Sequence, residues 1–445
     1  MAVKKEIANW GNYPVLAADV HELEFTEEIQ ALVRCTDTIL ARGNGRCYGD
    51  AALHPNIFST LKLDKFLAFD AQQGILSCQA GVLFRDILEF IVPRGFFLPV
   101  TPGTKFITVG GAIAADIHGK NHHIAGCFSN HLLAFELMDA QGRIHHCTPE
   151  SNAARFWSTV GGMGLTGIII SATFKLAPIQ SAYIRQESIK TKNLEETMQL
   201  FEEAEQWTYT VAWVDCLQTG KNQGRSLFMR GEHASLGELP THKQQQPLQF
   251  TEKKKITIPS FFPFFLLNHL SVRAFNFLFY HKQFAKKKER LMDYDSFFYP
   301  LDALHQWNRI YGKQGFTQYQ FVIPKANALM GLKKIFDEIR MSKQGAFLTV
   351  LKLFGQANPL AYKSFPMEGY TLALDFKINN ELIPLIAKLD ELIEEYGGKI
   401  YLAKDAFSKR TLFKSNHLTN TSPKFSSVQA KRLFSTHQET LTSNS

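Results

Sequence analysis

At 445 residues the chain is too long for one ordinary core, so two domains are expected. Hydrophobic content of 45% with 20% charged residues excludes a disordered or fibrous chain. Six scattered cysteines (Cys35, Cys47, Cys78, Cys127, Cys147, Cys216) form no CxxC pair, which excludes a disulfide scaffold and a structural zinc site and favours a reducing compartment. No segment offers the ~20 uninterrupted apolar residues of a spanning helix, and Met1–Ala17 lacks the apolar core of a secretory signal.

Through the first 180 residues the pattern predicts short strands at Thr38–Ala41, Ile75–Ala80, Leu133–Asp139 and Ile168–Leu176, with a helix over Phe84–Ile91 ahead of Pro93. Past Pro178 it predicts a helix at Leu194–Gln206, a strand at Thr208–Asp215 and a polar linker from Thr219 to Gln246. Strands follow at Gln318–Ile323 and Phe347–Phe354, with helices at Asn327–Met341 and Ile383–Tyr396. The last forty residues read as polar and irregular apart from Val428–Leu433. Strands alternating with two longer helices imply an antiparallel sheet with helices on one face, an α+β class.

Two glycine-rich stretches carry most of the functional information. The first is Arg42-Gly43-Asn44-Gly45-Arg46-Cys47-Tyr48-Gly49-Asp50. The second runs from Thr101 through Thr104, Gly110 and Gly111 to His118-Gly119-Lys120-Asn121-His122-His123. Each reads as a strand turning sharply with its backbone bare, so that N–H groups can face an anion. Together they suggest a long diphosphate-bearing cofactor. Gly162–Gly167 matches GxGxxG, but it precedes the strand-like Ile168–Phe174 and not a helix. It is therefore a third close-approach turn and no dinucleotide fingerprint.

The net charge of +8 is local, because Lys253–Arg290 holds nine Lys/Arg and one Glu while the rest of the chain balances. The same segment packs Phe261, Phe262, Phe264, Phe265, Phe275, Phe277, Phe279, Tyr280 and Phe284 into apolar blocks flanked by lysine triplets. Solid apolar blocks suit a membrane surface better than a nucleic acid. A core helix with solvated ends is the plainer alternative.

Arg42–Ala52, Thr101–His131 and Phe156–Ala172 resemble the PCMH-type FAD-binding domain of vanillyl-alcohol-oxidase-type flavoproteins. Trp307-Asn308-Arg309, Gln318–Phe321, Lys352–Gly355 and Tyr401-Leu402-Ala403-Lys404-Asp405 extend the resemblance, more narrowly, to the decaprenylphosphoryl-β-D-ribose 2′-oxidase family over nearly the full chain. The resemblance implies a two-domain α+β flavoprotein: an FAD-binding domain over 1–180, a substrate domain over 181–400, and a C-terminal return to the first over 401–445. It implies oxidation of the 2′-hydroxyl of a polyprenyl-phosphoryl ribose. A separate short-chain NAD(P)H-dependent reductase would complete epimerisation to arabinose, and a quinone or another acceptor would reoxidise the flavin. It places the enzyme in the cytoplasm at the inner face of the membrane, with no nucleic-acid partner and no metal.

Alcohol oxidation needs a base on the hydroxyl while the C–H points at the flavin, and a cation where reduction leaves charge. The resemblance puts Lys404 and His118 in the catalytic roles, either one being a candidate for the base. It puts Arg42, Gly43, Asn44, Gly45, Arg46, Cys47, Tyr48, Thr104, Gly110, Gly111, Asn121, His122, Gly164, Gly167 and Tyr401 on FAD. Lys120, Lys352, Gln320, Tyr48 and Trp213 would meet the substrate. Arg46 stands where related flavoproteins carry a flavin-linked histidine, so FAD is expected to be non-covalent. Ala373 stands where mycobacterial members carry the cysteine attacked by nitroaromatic inhibitors, and Thr371 replaces a family asparagine. An aldonolactone or alditol oxidase of the same fold is the alternative enzyme, and a membrane or nucleic-acid binder with a decayed flavin site is the non-enzymatic one.

Overall fold

A computed structural model of the chain describes residues 2–250, 256–259, 268–409 and 418–441, with side chains as far as Phe434. A four-stranded sheet comes first, in the order Val3–Ile7, Leu16–Glu22, Asn56–Ser59, Leu40–Arg42. Its last two junctions are parallel. Strand Leu40–Arg42 ends where the first glycine stretch begins. A five-stranded antiparallel sheet follows, ordered Phe66–Asp70, Ile75–Gln79, Ile168–Lys175, Leu132–Met138, Ile144–Cys147.

Helix Phe84–Ile91 has the extent its periodicity predicts, burying Phe84, Ile87, Leu88 and Ile91 at the i, i+3, i+4, i+7 spacing of one helical face. The second glycine stretch departs from expectation. Val109–Ala114 is a short helix and not a strand turn, because Thr108 Oγ1 accepts the Gly111 N–H at 3.1 Å and so caps it.

The largest element is an eight-stranded antiparallel sheet, ordered Lys287–Asp293, Tyr183–Thr191, Ser226–His233, Tyr209–Val214, Thr349–Phe354, Gly369–Lys377, Phe316–Pro324, Lys399–Ile400. Helices Leu194–Glu203, Lys325–Met341 and Leu382–Glu395 share one core with it, in which Phe201, Leu332, Ile335, Leu389 and Ile393 meet Phe321, Leu351, Leu372 and Leu374. The α+β class stands. The expected polar linker of 219–246 does not, since Ser226–His233 is an interior strand. Tyr183–Thr191, whose charged residues hide its strand character, pairs on both sides and satisfies Glu187 through Arg230 at 2.7 Å and Lys287 at 2.9 Å. Pairing across the sheet overrides the polar local sequence.

The C-terminal segment packs back on the first sheet: Ile39 N–H donates to the Lys424 carbonyl at 2.8 Å, and Lys424 Nζ reaches the Val33 and Thr36 carbonyls. A helix, Val428–Leu441, replaces most of the irregular tail expected there.

Lys253–Lys255 and Phe261, Phe262, Phe264 and Phe265 lie outside the described residues. The rest of the basic-aromatic segment forms helix His269–His281 and the edge strand Lys287–Asp293. The helix is held by one face: Val272, Asn276 and Tyr280 are buried. Asn276 donates to Asp215 Oδ1 at 2.9 Å and the Tyr280 hydroxyl to the Thr191 carbonyl at 2.9 Å. Its other side leaves Leu270 74%, Leu278 67% and the following Phe284 95% exposed. Lys286 and Lys287 are engaged by Glu196 at 3.2 Å and Glu187 at 2.9 Å, so fewer cations face outward than the sequence count suggests. Among the described residues no helix is long and apolar enough to cross a membrane.

Candidate active site

Strand alternation writes one wall of the site. In the central strands Tyr319, Phe321, Leu351, Leu353, Leu372 and Leu374 turn toward the helices, so residues of the opposite parity turn away from them. Register aligns Gln320, Ala373 and Val350 in one row and Gln318 with Asp375 in the next. Lys352 lies one row further, opposite Thr371. Gln318, Gln320, Val350, Lys352 and Ala373 line a cavity of about 320 Å³.

Another part of the wall is largely glycine backbone. Gly43, Asn44, Gly45, Arg46, Cys47 and Tyr48 line it, with Thr104, Gly110 and Gly111 from the second stretch and Gly164 and Gly167 from the third. Gly43 packs directly on Thr108, leaving no space for a Cβ. The Arg46 guanidinium stacks over the Trp10 ring at 4.1 Å, and its Nε is buried without a hydrogen-bond partner. A bare-backbone cradle with an unsatisfied cation suits an anionic, phosphate-bearing cofactor. The residues present therefore fit FAD.

Lys404, His118 and Tyr401 complete the cavity. Lys404 Nζ sits 3.9 Å from the centre of the Tyr48 ring. Burial drives its pKa down toward neutrality, Asp375 opposes this, and Lys352 adds to it. Asp375 is buried and its carboxyl is raised by that burial; Gln318 donates to its Oδ1 at 2.6 Å.

The protonation of His118 follows from a chain of hydrogen bonds. The Thr371 hydroxyl gives its proton to the Phe321 carbonyl at 2.8 Å, so its oxygen must accept from Gln320 Nε2 at 3.2 Å. The same amide nitrogen then donates to His118 Nε2 at 3.0 Å. His118 is thereby the Nδ1–H tautomer, with Nδ1 buried and unpartnered. Burial first, then Lys352, His122 and Lys404, hold its pKa well below the usual histidine value, so the ring is neutral.

Five expected residues lie off the cavity wall. Arg42 spends its guanidinium on Asn9 and on the Ala8 and Ala52 carbonyls, bracing the loop from behind. Asn121 donates to the Pro99 carbonyl at 2.8 Å, and His122 packs on Phe354 at 4.5 Å. Lys120 Nζ donates to the Phe298 carbonyl at 3.2 Å between two phenylalanine rings, and burial pushes it down to about 7. Trp213 shares the row of Val350 but packs against Leu227, Phe279 and Tyr280, extending the wall toward helix His269–His281.

Trp10, Asp302, Gln318 and Asp375 were not anticipated at the site. Gln318 and Asp375 each lie two residues from an expected wall position, so strand parity would have found both. Asp302, which accepts from Thr104 Oγ1 at 3.1 Å and Lys105 N–H at 2.9 Å, and Trp10 arrive from distant chain and leave no local signal.

The chain matches the family described as FAD binding domain over residues 18–148. It is 37% identical over 412 residues to the decaprenylphosphoryl-β-D-ribose oxidase of Mycolicibacterium smegmatis, covering 90% of this chain and 89% of that one. A Streptomyces coelicolor protein described only as uncharacterized, in the mprA 5′ region, is 31% identical over 73% of this chain and 89% of its own. Human Δ(24)-sterol reductase is 27% identical over 32% of this chain and 27% of its own, a likeness confined to part of each protein. With the glycine cradle and a match over nine-tenths of the chain in agreement, the chain belongs to the decaprenylphosphoryl-β-D-ribose oxidase family of vanillyl-alcohol-oxidase-type flavoproteins and is an FAD-dependent oxidoreductase.

Proposed function

We propose that this enzyme oxidises the 2′-hydroxyl of a polyprenyl-phosphoryl ribose to the 2′-ketone, the first half of epimerisation to an arabinose donor for cell-envelope glycan. One observation carries the reading: a single cavity is lined by an amine of depressed pKa, a neutral histidine, a second lysine and a glycine cradle. FAD, when bound, supplies the acceptor for the hydride that leaves C2′. Lys404, whose pKa burial brings down to about 7, takes the hydroxyl proton on Nζ in its neutral form and becomes the cation that the reduced site requires. His118 is not the base, because its Nε2 lone pair is engaged by Gln320. Its Nδ1–H is free to donate to the sugar or cofactor and fixes orientation. Lys352 has no carboxylate partner among the described residues and is pushed down to about 8 by burial; the substrate phosphate would restore its charge. Leu348, Val350 and Ala373 keep water from the reacting carbon.

FAD is held without a covalent bond. Arg46 cannot form one, and burial raises the Cys47 thiol, which keeps it protonated and a poor nucleophile. The chain divides into an FAD-binding part over 1–180, a substrate part over 181–400 and a returning segment over 401–445. The ketone passes to a separate short-chain NAD(P)H-dependent reductase, and a quinone or similar acceptor reoxidises the flavin.

A prenyl tail brings the substrate in at a bilayer, and helix His269–His281 suits the entry. Phe279 contacts Trp213 at 4.7 Å and Phe275 contacts Phe347 at 4.7 Å, next to the cavity residue Leu348, while Leu270, Phe277, Leu278 and Phe284 face outward. We read this face as a peripheral contact with the inner membrane surface. The test of the reaction is anaerobic bleaching of the flavin. Prenyl-phosphoryl ribose should bleach it and free sugars should not; equal bleaching by an alditol or aldonolactone would favour that class of oxidase instead.

A further inference from the structure

We propose that Arg432 is a positioning residue for Lys404, acting by tying the turn that carries this lysine to the end of the cofactor loop; the inference rests on the role given to Lys404 above. Arg432 belongs to helix Val428–Leu441 and is not part of the cavity lining. Its Nε and Nη2 donate to the two oxygens of Asp50 at 2.9 Å each, in a bidentate pair. Nη2 also donates to Asp405 Oδ2 at 2.6 Å, and Nη1 to the Ser408 carbonyl at 2.8 Å. Asp50 ends the first glycine stretch and Asp405 follows Lys404 in sequence, so one guanidinium bridges the two loops that meet at the reaction centre.

The geometry between those loops leaves no slack. Tyr48 N–H donates to the Ala403 carbonyl at 3.1 Å, which seats the Tyr48 ring under Lys404 Nζ. Gly49 packs so closely on the Asp405 carbonyl that a Cβ has no room, and Asn9 holds the Gly49 carbonyl at 2.7 Å from the other side. Asp405 Oδ1 accepts from the Phe407 and Ser408 N–H groups at 3.1 and 2.8 Å, folding the turn. Gln429, one helical turn before Arg432, donates to the Leu402 carbonyl at 2.8 Å. Asp50 and Asp405 are both buried, each only 3% exposed. The guanidinium's fork is what joins the two carboxylates across this dry site, and without it the loops would part. Lys404 would then lift from Tyr48 into better-solvated surroundings. The groups that face its ammonium are Asp375, Lys352, Cys47, His118 and Tyr48, none of which Arg432 touches.

Arg432→Lys keeps the charge and loses the fork. Whichever substrate bleaches the wild-type flavin serves as probe, so a wrong sugar assignment would show in the wild-type enzyme and not in this comparison. Rates are expressed per bound flavin. A displacement of about 1 Å at a reacting group costs up to roughly a hundredfold, so kcat should fall between about tenfold and a hundredfold while KM changes by less than about twofold. The rising limb of the pH profile should also move upward, as Lys404 regains water. Arg432→Gln with Asp50→Asn, which removes the charge and keeps hydrogen-bonding groups, should give the same kcat loss and the same shift if Arg432→Lys fails to fold. Wild-type kcat and an unmoved limb in either variant would overturn the proposal. So would a lower melting temperature and flavin content with unchanged kcat per flavin, which is what a merely structural tie predicts.

Discussion

Replacing Lys404 with Met separates its two properties, bulk and basicity. The turn that holds it should survive, because Lys404 N–H bonds the Tyr401 carbonyl and Tyr48 N–H the Ala403 carbonyl, neither using the lysine side chain. The methionine still covers the Tyr48 ring, so FAD should remain bound. What disappears is the proton acceptor and the cation that follows from it. A positioned base contributes typically 10²- to 10⁴-fold, so flavin reduction should slow by at least about a hundredfold, or about 2.7 kcal/mol of barrier. The pH profile makes the argument sharper. Lys404 acts when deprotonated, and its pKa is lowered, mainly by burial, so the wild-type rate should rise with pH across a limb well below the ordinary lysine value of 10.5. A histidine base would behave differently: burial first holds the His118 pKa well below 6.5, so its limb would lie below that value. Anaerobic stopped-flow measurement of flavin reduction reads both quantities. Wild-type speed in Lys404→Met, or a wild-type rate whose only rising limb lies below pH 6.5, would refute the assignment.

Acid precipitation should release the flavin into the supernatant, because Arg46 offers no attachment point and the Cys47 thiol is held protonated; flavin in the pellet would contradict this. Nitroaromatic inhibitors that target cysteine should leave the intact mass unchanged after turnover, since the wall position beside Gln320 and Val350 is Ala373, and Ala373→Cys should restore adduct formation. Co-sedimentation with anionic vesicles should exceed that with neutral ones and weaken with salt. Leu278→Ser with Phe284→Ser should reduce it by at least about tenfold, each side chain being worth roughly 1.5–3 kcal/mol when buried, and unchanged binding would assign the helix to packing alone.

Much of the architecture was legible because period and punctuation agreed. Phe84–Ile91 carries its helix in four apolar positions and ends just before Pro93, and Leu194–Glu203 starts where Asn193 accepts the Glu196 N–H at 3.0 Å. Strands were misread where charged residues interrupt the alternation. Ser226–His233 and Tyr183–Thr191 owe their conformation to neighbours far along the chain, and Glu187 and Arg230 satisfy each other across the sheet. The glycine cradle was legible as a cofactor site because backbone access leaves a compositional mark. Arg42 looked like part of that cradle, yet it turns away to brace Asn9 and the loop carbonyls; sequence neighbours in an irregular loop point in unrelated directions.

The choice between Lys404 and His118 depends on what no local pattern contains. Neither is singled out by its sequence neighbours, and at the same cavity His118 is buried and Lys404 half-buried. The difference lies two hydrogen bonds away, in a threonine on a neighbouring strand whose hydroxyl is committed to the Phe321 carbonyl. That commitment fixes the Gln320 amide, which in turn occupies the His118 lone pair. Thr371 therefore does more than fill its place on the strand. An asparagine there could present either a donor or an acceptor to Gln320, whereas the threonine, with its one proton given away, presents only an acceptor. The tautomer of His118, on which the proposed choice of base turns, is set from the adjoining strand of the sheet.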